Sequence, residues 1–192
     1  MVGEKAIGQA FMELERLKPS NATEYFRALA DRQPELAVFV TELTDDLTEE
    51  ASLICYSLFA VIVRAYELTS LQPVKPLDHR IVLRALRKND ADMEELGESS
   101  PGDASRRLPK SPAQPNLMAL VIEALADAEN VSDDDRGMML LILKTIIDAL
   151  HTATKPPRRT PRPKLAPSGE PLPPDHGPTP TSGGFRSRRP AR

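Results

Sequence analysis

The chain has 192 residues, enough for one domain of ordinary size, with five Phe, three Tyr and no Trp, so any core it builds is aliphatic. Its single cysteine, Cys55, excludes an intrachain disulfide and fits a reducing compartment. The net charge of −3 divides unevenly: residues 155–192 hold nine Lys/Arg against two Asp/Glu, and the rest 16 against 26, so a body of −10 carries a tail of +7.

At the start of the chain, Ile7, Ala10, Phe11, Leu14 and Leu17 recur at helical spacing and predict a first helix over 4–18, stopped at Lys18-Pro19. These spaced residues form no sustained apolar run of the secretory kind, so a cytoplasmic protein is expected. Ser20 or Asn21 can cap a short second helix with Tyr25, Phe26 and Leu29 on its apolar face. Pro34 then suits the first turn of a third helix, where its missing N–H would be unpaired anyway. Thr48 opens a fourth as N-cap, and Glu49 and Glu50 lie near the positive end of its dipole. That helix runs over 49–69 until Gln72-Pro73 and Pro76 stop it. Arg64 breaks its apolar run, leaving it short of the twenty or so residues a bilayer requires, so no membrane partner is expected.

Asp78 can cap a fifth helix in which Val82, Ala85, Leu86, Met93 and Leu96 share one side. Asn89-Asp90 is a candidate interruption and Gly97 its end. Residues 97–114, rich in Pro, Ser, Gly and Arg, read as a flexible linker. Two helices follow, the second opened by Ser132 with Asp135 three residues on, the spacing of a capping box. Residues 151–155 are the expected fraying end. Strand signals are absent, because the β-branched residues follow helical spacing rather than alternation.

Residues 33–69 and 114–152 share a pattern. Each opens with Gln-Pro, and Leu36, Phe39, Val40 and Leu43 match Leu117, Leu120, Val121 and Ala124 at an offset of 81. After three extra residues the offset becomes 84, and Ile54, Cys55, Leu58, Phe59, Ile62, Val63 and Tyr66 match Met138, Met139, Ile142, Leu143, Ile146, Ile147 and Leu150. The pattern predicts two α-hairpins packed about a pseudo-two-fold axis through Ile54/Leu58/Ile62 and Met138/Ile142/Ile146. The expected fold is therefore an all-α bundle of six to seven helices over 1–154 with a disordered Pro/Arg-rich tail over 155–192. Arg64 and Asp148 occupy matched positions and are candidates to pair across the axis, which would serve register; the simpler alternative leaves both on solvated edges.

Catalytic signals are scarce. His79, His151 and His176 lie in a helix start, a helix end and the tail, and no Cys/His pair has zinc spacing. Gly183-Gly184 follows no strand and makes no phosphate loop. The run Asp133 to Gly137 superficially fits a calcium loop, but Lys144 stands where the distal acid belongs, so helix capping explains it better. Cys55, inside an apolar run, reads as a small buried hydrophobe. No cofactor or metal is expected.

The strongest candidate for an interaction is the tail, with one basic cluster at Arg158, Arg159, Arg162 and Lys164 and another at Arg186, Arg188 and Arg189. A PxxP pattern at Pro171–Pro174 is a weak signal in so proline-rich a segment. The reading that results is a non-enzymatic protein-interaction or adaptor module, its partner another protein or a second copy of itself. A nucleic-acid-associated protein anchored by the tail is the alternative, and an enzyme the third.

Weak, nonspecific nucleic-acid binding by the tail would fall steeply with salt, because each neutralised phosphate releases counterions. Little binding is expected at physiological salt, and replacing Arg158, Arg159, Arg162 and Lys164 by Ala should weaken it equally on unrelated sequences. A salt titration of full-length protein on two unrelated duplexes checks this; tight, sequence-selective binding by residues 1–154 would overturn it.

Overall fold

Seven helices are present in the computed structural model, which describes residues 1–70, 73–97 and 114–154, and among these residues there is no strand. They are α1 (Glu4–Glu15), α2 (Pro19–Arg32), α3 (Pro34–Thr44), α4 (Glu49–Thr69), α5 (His79–Gly97), α6 (Pro115–Asp127) and α7 (Asp133–Thr154). The linker read over 97–114 falls almost wholly, and the tail entirely, outside the described residues.

Local chemistry explains most of the boundaries. The Thr48 hydroxyl accepts from the Ala51 amide and starts α4, and Ser132 accepts from the Asp135 amide and starts α7. The Ser132 box stays half made, since Asp135 turns its carboxylate to Thr48 of the other hairpin, 2.9 Å away. Asp78 accepts from the Arg80 amide ahead of α5. Three of the expected limits shift. The helix predicted over 4–18 ends at Glu15, where its last turn tightens and the Leu17 amide bonds to the Leu14 carbonyl. The second helix begins at Pro19, not after Ser20 or Asn21: Lys18 is held extended ahead of the proline, and the Ser20 and Asn21 side chains bond each other. Asn89-Asp90 does not interrupt α5, which runs on through it, while α7 ends at Thr154, inside the expected fraying end.

The centre of the fold is a parallel pair, α4 beside α7. Near their starts Thr48 reaches Asp135 and Asn130 reaches Glu50; near their ends the Tyr66 hydroxyl donates to the Ile147 carbonyl at 3.0 Å. Six consecutive residues of α4, Leu58 to Val63, are buried, and so are six of α7, Ile142 to Ile147. A helix buried on every side over a full turn needs neighbours all round. Accordingly α1 and α3 lie on α4, while α5, α6 and α3 lie on α7. By length and hydropathy α4 and α7 could each cross a membrane, contrary to the expectation drawn from Arg64, but they are the half-buried to largely buried central helices here.

The matched positions share their burial from Leu36/Leu117 to Tyr66/Leu150, with two departures: Phe39 is buried where Leu120 is half-buried, and Ile54 is half-buried where Met138 is exposed. The two glutamines share more. Gln33 and Gln114 have the same kinked backbone (φ −136°, ψ 63° and φ −147°, ψ 69°), and both side chains are buried. The Gln33 amide donates to the carbonyls of Val74 and Lys75 and accepts from the Leu77 amide, tying down the segment that leads into α5. The Gln114 carbonyl accepts from the Val2 amide at 2.7 Å, and Asn116 donates to the Val2 carbonyl, tying down the segment that leads into α1. Each glutamine thereby satisfies irregular backbone that no helix could pair.

Replacing Ile62 or Ile146, both fully buried, by Ala should cost about 2–5 kcal/mol of unfolding free energy. Leu53→Ala, at a position 62% exposed, should stay within about 0.5 kcal/mol. Denaturant titration measures all three, and a loss under about 0.5 kcal/mol at both isoleucines would refute the central seam.

Candidate functional site

A charged residue in the middle of α4 must find partners, and the helices covering α4 supply them. Arg64 donates from Nε to Glu13 of α1 at 2.6 Å and from Nη1 to Glu67, one turn further along α4, at 3.2 Å. The other oxygen of Glu67 accepts from Arg32 Nε of α2 at 2.9 Å. The result is a four-membered chain, Arg32–Glu67–Arg64–Glu13, that ties three helices together. With Tyr25, Pro73 and Val74 it lines an open cleft of about 480 Å³. Tyr25 lines the same cleft. Its hydroxyl is buried without a hydrogen-bond partner, and burial, reinforced by the charge of Glu67, pushes its pKa up. Its ring meets Phe26 edge-on at 5.9 Å, and Phe26 meets Tyr56 of α4 in the same manner.

The pairing of Arg64 with Asp148 expected from the matched positions does not form. Asp148 instead takes Lys144 of its own helix at 2.7 Å, and Lys144 also donates to Asn89 of α5. Asn89 donates in turn to the Thr145 hydroxyl at 3.3 Å. The reason is the layering: α1 covers α4 and α5 covers α7, so each charge is drawn to the helix outside it rather than across the seam. Lys144 is only 5% exposed, and Asn89 and Thr145 are fully buried, so this cluster is closed to ligands and sets the register of α5 on α7.

A second depression, of about 100 Å³, lies between α3 and α5. Phe39, Leu43, Val82, Leu83 and Leu86 give it an apolar floor, and Val38 at its edge is 55% exposed. Glu35 and Glu42 also line it, and Glu35 faces His79 Nδ1 at 3.0 Å.

Of the residues singled out from the sequence, the tail cations Arg158, Arg159, Arg162, Lys164, Arg186, Arg188 and Arg189 lie outside the described residues. Asp133 to Asp135 serve the start of α7: Asp133 binds Arg136, and Asp135 binds Thr48. Among the described residues no group of three or more His, Cys, Asp or Glu is placed to hold a metal ion. Cys55 is buried, and burial pushes its thiol up to about 12, far from a reactive thiolate. Sequence reasoning passed over Glu13 and Arg32, took Asn89 only as a candidate helix interruption and Lys144 only as a mismatch to a calcium loop, and took Tyr25 only as part of an apolar face. One signal was available: an arginine inside an apolar helix demands a carboxylate from whichever helix covers it.

The Arg64 guanidinium, then Gln9, hold the Glu13 carboxyl below the usual carboxylate range. A carboxylate with a lowered folded-state pKa stabilises at neutral pH, and its contribution disappears as pH falls through that pKa. Because the pair is one-third exposed, Glu13→Gln should cost at most about 1 kcal/mol at pH 7. The difference from the parent should shrink steadily on acidification; thermal melts from neutral to acid pH test this, and a pH-independent difference would show that the ion pair contributes nothing.

The chain matches no protein-family model, no curated protein and no solved structure.

Proposed function

We propose that residues 1–154 form a non-enzymatic, cytoplasmic protein-interaction module and that the basic tail supplements it. The observation that carries this reading is the depression between α3 and α5. Its floor is apolar, Val38 stands exposed beside it, and Glu35 and Glu42 border it on a body of net charge −10. Exposed apolar surface with a polar border is characteristic of protein contact sites. Charge complementarity selects the occupant: a segment of a partner protein with an apolar anchor flanked by Lys or Arg.

The enzyme reading draws less support. The cleft at Arg64 takes residues from α1, α2, α4 and the segment before α5 but, among the described residues, none from α6 or α7. Both of its carboxylates are tied to guanidinium groups, which favours ionised carboxylates over proton transfer. The proposal keeps α4 and α7 as the core of the module rather than in a bilayer, in line with the burial of half or more of each apolar stretch. It also takes the two hairpins as copies of one unit, on the strength of the shared burial and the two buried glutamines of like backbone conformation.

Comparing what is captured by the full chain, by a chain ending at Thr154 and by full-length Val38→Asp tests the reading. Partners that bind the shortened chain and are lost with Val38→Asp are expected, and Val38→Asp should leave the melting temperature within a few degrees, because Val38 is exposed. Partners retained by Val38→Asp and lost on removing residues 155–192 would instead assign the interaction to the tail, and a partner set made of nucleic acid would favour the alternative reading.

A further inference from the structure

We propose that the cleft between α1, α2 and α4 is a binding site for a small oxyanion, a carboxylate or phosphate group, held by Arg32, Arg64 and Tyr25. This inference is independent of the groove between α3 and α5 and concerns a different face of the domain's chemistry.

The argument is a count of donors and acceptors. Every carboxylate oxygen in the cleft already accepts a hydrogen bond: Glu13 Oε1 from Gln9, Glu13 Oε2 from Arg64, Glu67 Oε1 from Arg32 and Glu67 Oε2 from Arg64. The donors are not exhausted. A guanidinium carries five N–H bonds in a planar fork. Arg32 commits only Nε and Arg64 only Nε and Nη1, so both Nη groups of Arg32 and Nη2 of Arg64 have no hydrogen-bonded partner in the protein. The Tyr25 hydroxyl is buried and equally uncommitted, a state that is costly in a folded protein. The other such atom among the described residues, Arg136 Nε, belongs to a guanidinium already bound to Asp133 and to the Ala128 carbonyl. At Arg64 surplus donors and space coincide, and 480 Å³ lies within the usual range for small-molecule sites.

What fits surplus donors is a group that only accepts. Planar or tetrahedral oxyanions match the guanidinium fork, and Glu67, bridging Arg32 and Arg64, holds the two forks at a fixed separation. Pro73 and Val74 offer an apolar wall for the remainder of the ligand. The Tyr25 hydroxyl lies out of solvent in a cleft that the ion pairs share, so the oxyanion would reach it by displacing the more exposed carboxylate. That carboxylate is Glu13, 37% exposed against 16% for Glu67. Glu13 is thus a resident competitor for the site.

The competition gives opposite signs for two substitutions, which a purely structural ion-pair chain would not. Inorganic phosphate and acetate are titrated separately into the full chain at constant ionic strength, with the Arg side-chain Nε–H and Tyr25 ring resonances followed by NMR. Saturable binding of either anion is expected, and which one binds more tightly identifies the class of oxyanion. Arg32→Gln and Tyr25→Phe should each weaken it by roughly tenfold or more, the loss of one hydrogen bond to a charged group. Glu13→Gln should strengthen it. Tyr25→Phe retains the ring packing, and a thermal melt confirms that it folds. Shifts that grow linearly without saturation for both anions, or affinities unchanged in Arg32→Gln, would overturn the proposal.

Discussion

The contact on which the rest of the molecule depends is the side-by-side packing of α4 and α7. Leu58 to Val63 and Ile142 to Ile147 are buried without interruption, so neither helix has a solvent face over its central turns. Apolar burial of this extent is worth roughly 1.5–3 kcal/mol for each large aliphatic side chain. It also dictates the surroundings: with one side of each helix against the other, the remaining sides must be roofed, and α1, α3, α5 and α6 are the roof. α2 is the exception, packing on α3 and touching α4 through Phe26 and Tyr56.

Burial on all sides makes every polar atom in that zone a liability, and the structure answers each one individually. The Tyr66 hydroxyl finds the Ile147 carbonyl across the seam, and burial raises its pKa, keeping it a neutral donor. Lys144 and Thr145, polar residues within the buried turn of α7, are met by Asp148 and Asn89. The matched positions of α4, Ala60 and Val61, carry no polar atoms and need no such partner. The matched stretches of α4 and α7 thus differ in polarity, and α1 covers the first while α5 covers the second. Buried ion pairs of this type add specificity more readily than stability.

The same rule explains why the most reactive-looking chemistry sits at Arg64. A guanidinium on the flank of a buried helix cannot be left alone, and it recruits Glu13, Glu67 and, through Glu67, Arg32. The network balances its charges but not its hydrogen bonds, because two guanidinium groups have more donors than two carboxylates have already taken up. On the α3–α5 side the lining differs: apolar side chains with Glu35, Glu42 and His79 beside them. The two depressions are thus chemically different, one lined by a chain of ion pairs and the other mainly by apolar side chains.

Helix existence and order were legible in the residues because both depend on short-range terms. The 3.6-residue spacing of Leu36, Phe39, Val40 and Leu43, the capping hydroxyls of Thr48 and Ser132 and the carboxylate of Asp78 act within one turn. The buried faces of α4 and α7 were legible for the same reason, and the Gln-Pro steps marked where α3 and α6 begin. The partner of a side chain was not legible. Arg64 finds Glu13 51 residues away, Gln114 reaches Val2 at a separation of 112, and Lys144 meets Asn89 at 55. Periodicity records that a face is apolar but not which helix will cover it, so it could offer Arg64 and Asp148 only as a candidate pair, whereas Arg64 meets Glu13 and Asp148 meets Lys144. The sequence by itself determined seven helices and the apolar seam they build. Only the tertiary structure decided which charges meet, because that follows from how helices remote in the chain are layered, and no local pattern contains it.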